Sequence, residues 1–133
     1  MPYTFDFDPT NGILRCRLNG RVTDTVLKDF FRIGSGYAIS VHPSAGVVDL
    51  SGVTSFEVSS ETIQELAQST PVPQNPNLRR VVIASSRQIY GMMRMFEIQG
   101  EEMRPDLHVV RTEREAWAIL AVRKPRFEPI NMK

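Results

Sequence analysis

The chain is poor in the residues that most often carry chemistry. Cys16 is its single cysteine, which excludes an intrachain disulfide and a CxxC metal knuckle. Its two histidines, His42 and His108, are far apart and neither has a partner at i, i+4, so the zinc-ligand spacing is missing and no metal is expected. No GxxxxGK[ST] motif cradles a phosphate and no GxSxG turn presents a nucleophile. No apolar run approaches the ~18–20 residues of a membrane span. Charge of one sign is not in surplus: 16 Lys+Arg stand against 15 Asp+Glu, a formal +1. That balance leaves no electrostatic footprint for nucleic acid or an anionic membrane. Residues 1–9 contain neither a basic stretch nor an apolar core, so no signal peptide is expected. The expectation is a soluble, cytoplasmic protein.

Within 133 residues, 41% hydrophobic and 23% charged, the composition is that of one globular domain. Tyr3–Phe7 alternates apolar and polar, the period of a half-buried strand. Asp8–Gly12 is a turn cluster in which Asn-Gly supplies positive φ. Ile13–Leu18 alternates again, with Leu14, Cys16 and Leu18 on one face, so the two runs predict a β-hairpin. On that face Cys16 is better read as a small core hydrophobe than as a nucleophile. Thr23 or Asp24 can cap a helix carrying Val26, Leu27, Phe30 and Phe31, which Gly34-Ser35-Gly36 should weaken or end. Gly46–Leu50 is a short buried strand, and Ser51–Val58 a connecting stretch. Ser59 or Ser60 caps a second helix with Ile63, Leu66, Ala67 and Thr70 as its stripe. Pro71, Pro73 and Pro76 mark a loop.

Arg80–Ala84 is a third β-branched run, and Ser85 or Ser86 caps a third helix. In it Ile89, Met92, Met93 and Phe96 fit the i, i+3, i+4, i+7 helical template. Leu107–Val110 is a last strand. Thr112 and Glu115 form a capping box, and Ala116, Trp117, Leu120 and Ala121 carry the final helix. The order ββαβαβαβα predicts an α/β domain over residues 1–122, followed by a tail over 123–133. Leu14, Val48, Ile83, Phe96, Val109 and Trp117 should be buried.

Candidate sites are few. Gly34-Ser35-Gly36 resembles half of a dinucleotide fingerprint, but it follows a helix instead of a strand, and no cofactor is expected. Asp49 and Glu57 cannot be paired by spacing alone, and no catalytic residue is assigned. Met92, Met93, Met95 and Met103 cluster around one helix. They can form an adaptable binding surface, although core filling by Met92 and Met93 is the plainer reading. Ser59 and Ser60 read first as helix caps. A hydroxyl at a helix N-terminus is also a favourable phosphate position.

Asp49-Leu50-Ser51-Gly52-Val53, then Phe56, then Ser59-Ser60, resembles the STAS-domain pattern of anti-sigma-factor antagonists. Tyr90 to Phe96, followed by His108–Arg111 and Glu115-Ala116-Trp117, is similar to the SpoIIAA-like (STAS/SEC14-type) bacterial proteins. The likeness covers residues 3–121. It implies a mixed five-stranded sheet with about four helices and no enzymatic activity. It also implies a partner of anti-sigma-factor or kinase-like type, with phosphorylation at Ser60 as the switch. A homodimer is compatible with it. The surface implied comprises Asp49, Ser51, Glu57, Ser59, Ser60 and Glu61. Two departures stand out: Val58 occupies the family's Asp position, and Glu61 the Gly position. The relation to SEC14-type folds implies an alternative, a small-molecule or lipid-binding protein with an apolar pocket at Tyr90, Met92, Met93 and Phe96.

Overall fold

The computed structural model describes residues 2–72, 74–75 and 77–130. Among these the chain forms strands β1 (Tyr3–Asp8), β2 (Ile13–Thr23), β3 (Ala45–Glu57), β4 (Arg79–Ile83), β5 (Leu107–Val110) and β6 (Glu128–Pro129). Its helices are α1 (Asp24–Val41), α2 (Ser60–Gln68), α3 (Arg87–Gln99) and α4 (Glu113–Leu120). The sheet order is β5-β4-β3-β2-β1-β6. β2, β3, β4 and β5 run parallel, while β1 is antiparallel to both of its neighbours. The α/β class expected from the alternation holds. The sheet has six strands, not the implied five, because residues assigned to a tail return to pair with β1.

The parallel strands advance one way across the sheet. Right-handed crossovers then put the three connecting helices on one face. That face carries Phe5, Leu14, Cys16, Leu18, Leu50, Val82 and Val109 against Leu27 and Phe30 of α1, Ile63 of α2, and Met93 and Phe96 of α3. The opposite face is smaller. Ile13, Ala45, Val47, Val81, Ile83 and Val110 pack on Ala116 of α4, with Trp117 and Phe127 beside them. Ile13, which breaks the apolar alternation of β2, is therefore the residue this second core requires.

Three local expectations change. The helix from Thr23 runs through Gly34-Ser35-Gly36 to Val41. Helix propensity is a weak prior, and here tertiary contact overrides it. Tyr37 stacks on Phe5 with ring centroids 4.5 Å apart, and Ala38 is buried. The stretch after Leu50 is no connector, because β3 continues to Glu57 paired with β2 alone. Of the six residues expected to be buried, Leu14, Ile83, Phe96 and Val109 are, whereas Val48 and Trp117 are half-buried. The hairpin turn is as expected: Gly12 has φ +68, the left-handed region that glycine enters without strain.

Candidate functional site

Ser59 is the N-cap of α2, its Oγ accepting from the Thr62 N–H at 3.2 Å. Asp24 ties the same residue to the start of α1, accepting from the Ser59 N–H at 2.8 Å and from its hydroxyl at 3.3 Å. Those bonds, the backbone one first, hold the Asp24 carboxyl below its ordinary range. Ser60 follows as the first helical residue, exposed, as is Glu61. Glu57 ends β3 on the surface in a two-point pair with Arg21, at 2.8 and 3.0 Å, and it also accepts from Ser55 at 2.9 Å. The Arg21 bonds pull its carboxyl down to about 2.

Asp49 and Ser51 do not join that group. Asp49 is buried on the sheet face away from α1–α3, where it accepts from the Ser51 N–H at 2.9 Å and hydroxyl at 2.6 Å. An extended strand rises ~3.3 Å per residue, so the β3 run from Asp49 to Glu57 separates them by roughly 25 Å. The six residues are thus brought together only in part: Ser59, Ser60 and Glu61 lie at one helix start with Glu57 two residues before the cap, whereas Asp49 and Ser51 lie far along the strand.

The other candidate set lies at a cavity. A pocket of about 150 Å³, partly open to solvent, lies between α1, α3 and the helix-bearing sheet face. Protein interiors are packed like organic crystals, and voids much larger than a water are few. The cause here is small residues facing one another. Gly34, Ser35 and Ala38 on α1 look across to Gly46 on β3, and a Cβ built on Gly46 would meet nothing within 4 Å. Phe30, Phe31, Phe96, Leu14, Val48 and Met93 supply the apolar walls. Val48 is only half-buried because it borders this space. Of the residues expected to form a pocket, Met93 and Phe96 line it. Tyr90 and Met92 instead pack, half-buried, against the core, and the Arg111 guanidinium lies 5.1 Å from the Tyr90 ring.

Two arginines absent from the sequence-level set also line the cavity. Arg104, 9% exposed, donates through Nη1 to the carbonyls of Leu66, Ala67 and Ser69 at 3.4, 3.3 and 3.1 Å, closing the C-terminus of α2. Its guanidinium lies 5.3 Å from the Phe96 ring centroid. Burial first, and the neighbouring Arg80 second, bring its pKa down to about 10. Arg80 on β4 is half-buried, and burial lowers its pKa as well. Its one side-chain hydrogen bond among the described residues is a long 3.5 Å contact to the Leu78 carbonyl. Asp106, whose field reaches Arg80, is engaged with Arg79 at 3.4 Å and His108 at 2.8 Å. Among the described residues no carboxylate forms an ion pair with Arg80 or Arg104.

No protein-family model matches the chain, and no curated protein matches it.

The site therefore rests on its own geometry. Helical spacing places Met93 and Phe96 on the inward stripe of α3, and both border this space. Sequence reasoning misses Gly46, a glycine inside a strand, which marks a place where a side chain is left out. It also misses Arg80, a charged residue in step with Val82 on an inward face. Cys16 lines the same space, buried, its thiol pushed up to about 12 by desolvation, so it is no nucleophile near neutral pH. Among the described residues no three His, Cys, Asp or Glu side chains converge as a metal cage. No helix among them is long and apolar enough to cross a membrane.

Proposed function

We propose that this protein binds a small, largely apolar molecule in the cavity between α1, α3 and the sheet, and performs no chemistry on it. The observation that carries this reading is a partly open pocket of about 150 Å³ walled by aromatic and aliphatic side chains. Engineered apolar cavities of ~150 Å³ hold a benzene molecule, which sets the size of the bound group. The unreactive Cys16 thiol supports a non-catalytic role. The test fills the void from the strand side. Gly46 has ordinary backbone geometry and open space beyond its Cα, so Gly46→Val should fold, and strand propensity favours it by up to ~1 kcal/mol. Wild type should bind toluene or indole in an NMR titration, and the variant should not. Wild type that binds neither at millimolar concentration removes the reading.

A second reading follows the STAS resemblance, as an interaction module switched at Ser60. It is favoured by the exposed position of Ser60 in the first turn of α2, where its hydroxyl is not the cap. An interaction module should also present an apolar patch there. The exposed large hydrophobics among the described residues are Ile39, Val72, Ile98 and Met103, none of them between Ser51 and Glu61. The cavity is therefore the better-supported site. Capture of a partner by wild type, lost on Ser60→Asp and kept by Gly46→Val, would reverse that order.

A further inference from the structure

We infer that the cavity selects a small monocarboxylate, its apolar body between α1 and β3 and its carboxylate on the guanidinium of Arg80. The inference rests on the cavity being a ligand site and adds the chemistry of the head group.

The argument starts from an imbalance of charge. Arg80 occupies a position on β4 that alternates with Val82 and Ala84 and faces the helices. Arg80 is half-buried, and among the described residues none of its guanidinium nitrogens is both buried and unpaired, so the fork stays reachable from the pocket and can exchange water for a carboxylate. Among the described residues the chain supplies this side chain with one long contact to the Leu78 carbonyl and no carboxylate. The second cation at the same cavity deepens the imbalance, because Arg80 and Arg104 repel one another. The two are not equivalent. Three carbonyls at the end of α2 already satisfy Arg104 Nη1, and that helix terminus carries partial negative charge. Arg80 is left as one unanswered planar fork, the shape that takes a carboxylate through two parallel N–H···O bonds. One open fork calls for one negative charge. A pocket of about 150 Å³ beside it takes a body the size of a single aromatic ring or a short alkyl chain. Half-exposed Val72 and Pro71 border the space, so a longer body would emerge along the loop after α2.

The test is a calorimetric series on the full chain with four probes of one body and different heads: phenylacetate, phenylacetamide, phenethylamine and phenyl phosphate. Wild type should bind phenylacetate about tenfold or more tighter than phenylacetamide, the gain expected of a charge-assisted pair over a neutral one. Phenethylamine should be the weakest. Arg80→Gln should bring the acid and the amide to parity by weakening the acid alone, while Arg80→Lys keeps much of the difference. Equal affinity for acid and amide in wild type, or a preference that survives Arg80→Gln, overturns the inference and leaves the cavity reading standing. A tenfold preference for phenyl phosphate overturns it in favour of a dianion. Failure of all four probes, the amide included, removes the cavity reading and this inference together. If Arg80→Gln does not fold, the wild-type series decides alone, since it needs no variant.

Discussion

At the residue scale, a buried charge is tolerated according to how fully the chain answers it, and Asp8 is the opposite of Arg80. Asp8 is fully buried, yet its carboxylate accepts from the backbone N–H of Thr10, Asn11 and Arg126 and from the side-chain amide of Asn11, at 2.7–3.3 Å. Burial alone would raise its pKa; these bonds outweigh burial and the net shift is downward. A carboxyl whose folded pKa is depressed contributes stability above its unfolded value of ~3.9, and that stability is lost as pH falls through the folded pKa. Asp8→Asn should therefore cost about 1–3 kcal/mol at pH 7 by urea denaturation, and the gap to wild type should narrow below about pH 4. A gap as wide at pH 2.5 as at pH 7 would mean that the ionised form is not what the turn requires. The same contrast bears on what can be read from sequence. Asp8 stands in an evident turn cluster with its donors two and three residues away, apart from Arg126. In sequence, Arg80 is one more charged residue at a strand start. That no described carboxylate pairs with it depends on Leu78, Asp106 and the end of α2, which only the fold assembles.

At the element scale, caps are legible and lengths are not. Sequence narrows every helix start to one or two residues, and the structure selects Thr23, Ser59, Ser86 and Thr112. Capping is a bond between residues three apart, so the sequence contains both partners. At α4 the return bond departs slightly from the ideal box: Glu115 accepts from the Arg111 N–H at 3.3 Å, one residue before the cap. For α2 the assignment is testable. Ser59→Ala should cost ~1 kcal/mol, and Ser60→Ala no more than a few tenths, by thermal or urea unfolding. Equal losses at both positions would place the cap wrongly. Strand and helix extents answer to non-local forces instead. β3 persists to Glu57 because β2 runs beside it, bulged between Arg17 and Asn19 and again between Gly20 and Arg21. Nothing within Ser51–Val58 records that neighbour. Likewise α1 passes its glycines because Phe5 waits there to stack on Tyr37. The extension of β3 also draws the Asp49–Ser51 motif away from Ser59, although the two are close in sequence.

At the scale of the whole molecule, the sheet is covered unequally. Three helices bury one face, with α1 and α3 flanking the cavity, while α4 is the helix that packs on the other. That second face is completed by the segment after α4, which composition and two prolines mark as a tail. Phe127 lies against Trp117 with ring centroids 5.8 Å apart, and the Arg15 guanidinium sits 3.9 Å over the Phe127 ring. Arg15 is in turn paired with Asp6 through Nε at 2.9 Å and Nη2 at 2.7 Å. Arg126 supplies an N–H to Asp8, and Glu128–Pro129 pairs with β1. A segment this short has no amphipathic period of its own, so only the sheet it returns to makes it structural. Ending the chain after Val122 would strip the ring from Trp117, bare the Asp6–Arg15 pair to solvent and remove one donor from Asp8. Losing a half-buried phenylalanine costs ~1–2 kcal/mol and an unmet hydrogen bond to a buried carboxylate ~1–3 kcal/mol, so the shortened chain should lose about 2–5 kcal/mol. The single tryptophan gives an independent readout, since its emission should shift to the red as Phe127 leaves. The proposed binding of toluene or indole should be unaffected, because the cavity lies on the other face of the sheet. A shortened chain within about 0.5 kcal/mol of wild type, with unshifted emission, would return residues 123–130 to the status of an appendage.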